Sequence, residues 1–369
     1  MAQLAQLGWT VRPGDKEILF EVTNRSLPPM KESAEHFSKL RKPFTLHLQS
    51  VKSLDGLHWL ADVKSCSKIE INAGEFTDIS ELHGFTHLTT LIISQLPLDG
   101  NGVVDASALA SLTNLELLNL HSTRVRFADF LAPLKKLKSL DLAETLVADL
   151  SPLSGTNTLL SLEIRDTRIT DLTPLADDQN LAELAIGNEQ VPGLVNLAEL
   201  KNLKKLSLMD QRPVDLTPIA ALSGLESLSI WGLPEFDLTP LGRLSKLESL
   251  SLSGMGFDRG LSGVRNLGAI SNLHSLKTLS LNHLDVNDVT FIEDLTKLVE
   301  LNLNQLPILS LARLRGRSSL KKIALVDIRL VDISPLLELP RLSEVRLIRV
   351  PARVDVVTEL KRRGVNVTP

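Results

Sequence analysis

His83 and His87 stand four residues apart, the spacing that sets two imidazoles on one face of a zinc-binding helix. The glutamate that serves as general base in such a helix is absent, and no third ligand is near in sequence. Gly254 to Gly263 reads GMGFDRGLSG, a glycine spacing that could cradle phosphate, but no Lys-Ser or Lys-Thr follows it. No serine sits in a nucleophile elbow. The single cysteine, Cys66, occupies a position that the rest of the chain gives to core leucines, which makes it a buried thiol rather than a nucleophile. Carboxylate pairs recur, but a chain that repeats itself repeats its acids too. The sequence therefore predicts no catalytic, cofactor-binding or metal-binding residues, and no cofactor.

What would have to position these residues is a repeat. A leucine, two other residues, a leucine, one residue and a leucine recur, with the leading position at Cys66, Leu88, Leu115, Leu137, Leu159, Leu181, Leu203, Leu225, Leu247, Leu276, Leu298, Leu320 and Leu342. Ten of the twelve steps are 22 residues; the exceptions, 27 and 29, mark insertions at Pro97 to Val104 and Gly254 to Gly263. Each copy opens with alternating apolar residues such as Leu228 and Ile230, the period of a short strand with one buried face. Several continue Asp, aliphatic, Ser or Thr, Pro, aliphatic, as at Asp171 to Leu175 and Asp237 to Leu241. A hydroxyl that accepts orphan N–H groups, followed by Pro, predicts the start of a single helical turn or two, 3₁₀ in part. Such a unit buries its apolar side only by stacking on its neighbours, so the expected fold is an α/β solenoid: parallel strands on a concave face, short helices and loops on the convex one.

With LxxLxL at 22-residue spacing and DLTPL or DISPL after it, the chain resembles the leucine-rich repeats of the internalin type, also seen in a regulator of protein phosphatase 1. The resemblance covers residues 44–350 and implies a binding role rather than a specific partner. One departure stands out. Where that family usually places Asn three residues after the last strand leucine, this chain has Thr123, Thr145 and Thr167, then Glu189 and Gln211, then Leu233, Met255, Leu284, Leu306, Ile328 and Val350. A hydroxyl ladder is expected in the first half and apolar packing in the second.

Residues 1–43 read as an N-terminal cap, with a strand over 17–22 and a helix over 30–40. Residues 351–369 read as a C-terminal cap, with a helix over 354–362 ended by Gly364 and a last strand over 365–367. No apolar run is long enough to cross a membrane, and the first residues lack a basic start and an apolar core, so the expected location is the cytoplasm. In that setting the sequons at Asn24 and Asn366 carry little meaning.

Surface is what remains. Strand residues between the buried leucines face the concave side in columns. Along the chain they run from acids (Asp141, Glu144, Glu163, Asp166 and Glu183, with Arg165 among them) to Met209 and Asp210, then serines beside Trp231, then Asn282, His283 and Asn304. His121 and His283 fall seven repeats apart and cannot share a site. A large aromatic on a face of serines is the pattern of a binding hot spot, and the chain has no Tyr to share that role. From Leu311 to Pro369 there are 13 Lys and Arg against 6 Asp and Glu, +7, so the remainder of a −4 chain carries −11. Nucleic acid is disfavoured at the basic end because no aromatics interleave with the cations. The expectation is a non-catalytic solenoid, monomeric before binding, that recognises a basic protein with these concave-face residues. It could serve as a scaffold, as a dedicated inhibitor such as an immunity protein neutralising a toxin enzyme, or as a substrate-recognition subunit.

Overall fold

A computed structural model describes residues 1–14, 17–23, 26–74, 76–94, 105–187, 194–210, 212–256 and 260–368. The first insertion (97–104), the sequon residue Asn24, the turn residues Glu189 and Gln211, and residues 257–259 of the second insertion lie outside the described residues. The chain forms two compact units, Met1–Pro192 and Gly193–Pro369.

The first unit begins with helix α1 (Ala2–Gln6), strands β1 (Thr10–Pro13) and β2 (Ile18–Thr23), and helix α2 (Met30–Phe37). Then come β3 (Phe44–Gln49), β4 (Cys66–Asn72), β5 (Thr90–Ser94), β6 (Leu117–Asn119), β7 (Ser139–Asp141), β8 (Ser161–Glu163) and β9 (Glu183–Ile186). From β2 to β9 each strand pairs in parallel with the next, while β1 closes the start antiparallel to β2. The cap has its own core: Trp9, Phe20 and Phe37 meet edge to face, and Phe37 stacks on Phe44 at 4.6 Å between ring centroids. The polar atoms of Trp9 and Ser33 there are satisfied, since Trp9 Nε1–H donates to Ser33 Oγ at 2.9 Å and the Ser33 hydroxyl to the Pro29 carbonyl at 2.7 Å.

The second unit runs β10 (Lys205–Met209), β11 (Ser227–Trp231), β12 (Glu235–Asp237), β13 (Ser249–Ser253), β14 (Gly263–Arg265), β15 (Thr278–Asn282), β16 (Glu300–Asn304), β17 (Lys322–Val326) and β18 (Glu344–Ile348), then helix α3 (Val354–Arg362) and β19 (Asn366–Thr368). β10, β11, β13 and β15 to β19 form a parallel sheet in unbroken register, whereas β12 and β14 form a separate parallel pair.

Alternation decides which side is core. Leu228, Ile230, Leu250 and Leu252 are essentially without solvent exposure, while the residues between them face outward. Cys66 lies fully buried, and burial pushes its thiol pKa up, out of reach of nucleophilic chemistry. Short 3₁₀ turns follow most strands, as at Thr173–Leu175 and Thr239–Arg243, with Pro early in the turn. Their caps differ from the sequence expectation. The Ser or Thr is not the acceptor; the Asp two residues earlier is, as in Asp149 Oδ1 accepting the Ser151 N–H at 2.7 Å and Asp332 Oδ1 accepting the Ser334 N–H at 2.9 Å. The Ser151 hydroxyl donates back to Asp149 at 2.6 Å, and this pair of bonds holds the Asp149 carboxyl below its usual range.

The turn position splits as its residue types suggest. Thr123, Thr145 and Thr167 are buried, and each hydroxyl donates to a carbonyl three residues back, at 2.7, 2.7 and 2.9 Å. In the second unit Leu233, Leu284, Leu306 and Ile328 are buried at the same position, with Met255 and Val350 half-buried. Asp178 is a defect in the leucine pattern. It holds the 22-residue position of Leu112, Leu134 and the buried Thr156, is only 3% exposed, and has one carboxylate oxygen without a hydrogen-bond partner among the described residues.

Candidate functional site

The open face of each sheet presents columns of side chains from alternate strand residues, plus one from a residue one to three positions past the strand. That last residue adopts a left-handed conformation in many repeats although it is not glycine: φ is 53° at Ser122, 56° at Glu144 and 54° at Asp166, and 55°, 51°, 52° and 50° at His283, Gln305, Asp327 and Arg349. An L-residue there costs about 1–2 kcal/mol against a right-handed backbone. The strand turns by this kink back toward the outer side, and the kinked side chain is left at the rim of the face.

In the first unit the face brings Asp141, Glu144, Glu163, Arg165, Asp166 and Glu183 together across three successive repeats. Strand registry puts Asn119 opposite Asp141 and Asp141 opposite Glu163, each step about 4.8 Å. Asp141 accepts from Asn119 Nδ2 at 2.8 Å and from the Ala143 N–H at 2.9 Å. Glu163 Oε1 accepts both the backbone N–H and the Nε–H of Arg165, at 3.1 and 2.7 Å. Glu144 is bonded by the Ser122 hydroxyl, and His121 Nε2 stands 3.9 Å from its other oxygen. Burial, and behind it the charge of Glu163, raises the Asp141 carboxyl; burial and the neighbouring Glu144 raise Asp166. The only cation set among the six is Arg165, and it is already committed to Glu163. Asn119 and Ser122 were not among the residues the sequence singled out, although each stands 22 residues before the acid it bonds. Nearer the cap the columns carry a second polar chain: Glu21 to His47 at 3.7 Å, His47 to Asn72 at 3.2 Å, and the Ser94 hydroxyl to Asn72 at 2.6 Å. Because Ser94 donates to an amide oxygen and not to the imidazole, this chain is a positional network without a nucleophile.

In the second unit, Met209 and Trp231 are paired in register at the ends of β10 and β11. Trp231 is 43% exposed and Met209 half-buried. Beyond Trp231 the same column continues with Ser253, Asn282 and Asn304, so Trp231 overlooks small and neutral side chains. The next column is Ser207, Ser229, Ser251, Ser280 and Asn302, without a charge. Asp210 Oδ1 accepts the Arg212 N–H at 3.0 Å. Asn282 and Asn304 are register partners, His283 lies beside them at the rim, and burial lowers the His283 pKa so that the ring is neutral at pH 7. Asn282, His283 and Asn304 are thus one group, separated from Met209, Asp210 and Trp231 by β13. Further along the rim Asp327 is bracketed by Arg349 and by Gln305 Nε2 at 3.3 Å, and the Arg349 bond holds its carboxyl at about 2.

His83 is exposed and His87 half-buried on the outer side of their repeat, and burial lowers the His87 pKa. Among the described residues no group of three or more His, Cys, Asp or Glu is placed to hold a metal ion. None of their helices is long and apolar enough to cross a membrane.

No family model matches the sequence, and no curated protein matches it. Solved structures do. An internalin, inlF, from Listeria monocytogenes is 29% identical over 85% of this chain and 88% of its own, with a TM-score of 0.66. A leucine-rich repeat protein from Leptospira interrogans gives a TM-score of 0.72 at 18% identity, covering 95% of this chain and 89% of its own. The functional domain of InlJ, also from Listeria monocytogenes, gives 0.57 at 16% identity, over 89% and 72%. In repeat length, strand register and fold, the chain is a leucine-rich repeat protein, similar to the internalins.

Proposed function

We propose that this chain is a non-catalytic binding protein that recognises a protein partner on the open, concave faces of its sheets. Trp231 carries the reading. A tryptophan 43% exposed, on a face whose neighbouring columns are serine and asparagine, offers a large rigid surface to a partner. Asp141, Glu144, Glu163 and Asp166 supply a field that draws a basic partner to the first unit. The protein acts as a monomer in the cytoplasm before it meets that partner. A dedicated inhibitor, such as an immunity protein for a basic toxin enzyme, is favoured over a general scaffold by one observation: Glu144 and Asp166 stand side by side at the rim, and among the described residues no Lys or Arg is bonded to either.

The test is an affinity capture from the native source with wild type beside Trp231→Ala, the bound proteins identified by mass spectrometry. One partner, lost from the variant, is the expected result, and a basic enzyme as that partner selects the inhibitor. A partner retained in full by Trp231→Ala overturns the assignment of the face.

A further inference from the structure

The second unit carries another binding feature, on its outer side. In the first unit neighbouring repeats are stitched there by a backbone bond: the Leu146 N–H donates to the Val125 carbonyl at 2.9 Å, and the Arg168 N–H to the Val147 carbonyl at 2.8 Å. Four repeats of 22 residues further along, the same two positions are Pro234 and Pro213. Pro234 has no N–H, so the stitch cannot form. Among the described residues no backbone N–H reaches the Pro213 carbonyl.

What lies next to that missing bond is a strand. Glu235 to Asp237 is extended because β14, which starts at the last residue of the second insertion, pairs with it: the Gly263 N–H donates to the Pro234 carbonyl at 3.1 Å, and the Leu238 N–H to the Arg265 carbonyl at 3.1 Å. In a parallel ladder alternate residues bond to opposite sides. With Pro234 and Leu238 turned to β14, the N–H and C=O groups of Glu235 and Asp237 face the other way, and among the described residues no strand pairs with β12 on that edge. A cleft of about 540 Å³ opens there, lined by Pro213, Val214, Asp215, Glu235, Asp237 and Arg243 among others. That volume is within the range of sites that bind small ligands and peptide segments, about 300–1,000 Å³.

The geometry points to strand addition: an extended segment of a partner protein lies along the unpaired edge of β12, recognised through its main chain, with an acidic side chain on Arg243. The edge supplies two N–H donors and two carbonyl acceptors, and the Pro213 carbonyl offers a further acceptor from the opposite wall. The charges sort the peptide's side chains. Each carboxylate in the cleft has a partner within the chain: Asp215 accepts the Thr217 N–H at 2.9 Å, Asp237 accepts from Asn266 Nδ2 at 3.0 Å, and Glu235 stands 3.5 Å from Arg265. The Asn266 bond, with those of Thr239 behind it, holds the Asp237 carboxyl at about 2. Of the charged side chains that line the cleft, that of Arg243 has no hydrogen bond or ion pair among the described residues. The cation is what the cleft leaves for a ligand to meet. Edges are commonly blunted by shortness and charge; here β12 is short and charged, but an open cleft lies against it where a neighbouring repeat would otherwise close.

The probe is a capped hexapeptide alternating valine with glutamate, beside the same peptide with lysine for glutamate, each titrated into the full chain while amide exchange is followed residue by residue. With the glutamate peptide at saturation, exchange at Glu235 and Asp237 slows at least tenfold, and Arg243→Gln weakens its binding about fivefold or more. Pro234→Ala restores the missing donor, lets the two repeats close, and abolishes binding without lowering the melting temperature. Equal binding of the lysine peptide, binding without slowed exchange at these two amides, or no binding by either peptide would overturn the inference. Were Pro234→Ala to misfold, Arg243→Gln and the exchange pattern decide alone.

Discussion

The two units share one backbone plan and write different chemistry on it. At the rim of the first, Ser122, Glu144 and Asp166 follow one another in the left-handed position; in the second, His283, Gln305, Asp327 and Arg349 do. Asp327 is neutralised from within, by Arg349 on one side and Gln305 on the other. Glu144 has the Ser122 hydroxyl and His121 beside it, and burial and the charge of Glu144 raise Asp166. A leucine-rich repeat scaffold thus fixes where side chains stand without fixing what they do. One stretch is internally satisfied and the other is left with charge to offer.

The largest test concerns what the units have in common. Leu228→Ala in the second unit and Leu140→Ala in the first each remove a fully packed side chain from the same column, and each should cost about 2–5 kcal/mol in chemical denaturation. An unchanged transition for either would mean that the strand register differs between units. Asp178→Leu works in the opposite direction. It replaces a buried, half-satisfied carboxyl with the residue that Leu112 and Leu134 supply at the same position, and should stabilise by about 1–3 kcal/mol. Burial raises the Asp178 pKa, so the folded state holds its proton more tightly than the unfolded chain does. The wild type loses stability as pH rises through that folded pKa, and the gain from Asp178→Leu should be larger at pH 8 than at pH 4. A gain independent of pH would place the cause in packing alone.

Smaller effects sharpen the contrast. Thr145→Val keeps the shape but removes the hydroxyl that bonds the Leu142 carbonyl, and should cost about 1 kcal/mol. No measurable loss would mean that the first unit tolerates the apolar filling which the second uses at Leu233. Glu163→Lys should leave dissociation of a basic partner nearly unchanged and slow its association, the difference shrinking as salt is added. Because Asp141 and Asp166 have raised pKa values, a cation bound beside them displaces their protons, and affinity should rise with pH through that range. A rate insensitive to both salt and Glu163→Lys would remove the acidic face from recognition.

Much of this was legible in the residues. The 22-residue spacing gave the register, and with it the outward place of Trp231 and the pairing of Asn282 with Asn304, because position in a stacked repeat is set by periodicity alone. The caps were harder. Asp149 and Ser151 both carry oxygens that can reach a turn amide, and only the backbone path shows that the Asp wins. Hardest was the outer edge near β12. The sequence presents Pro234 as one proline among 18, and its effect comes from a bond that two other repeats make and this one cannot. The strand β12 itself depends on β14, which begins at the last residue of an insertion that periodicity does not place.

Cys66 gives the first unit a clock. It is the chain's single thiol, it sits in the strand column next to the cap, and no solvent reaches it in the folded state. A thiol reagent can therefore label the protein only when that neighbourhood opens, and the labelling rate counts those openings one molecule at a time. A bound partner that steadies the first unit would slow the count, and one that touches only the second would leave it running at its former pace. Without engineering a single residue, the chain carries a means of telling which half has been occupied.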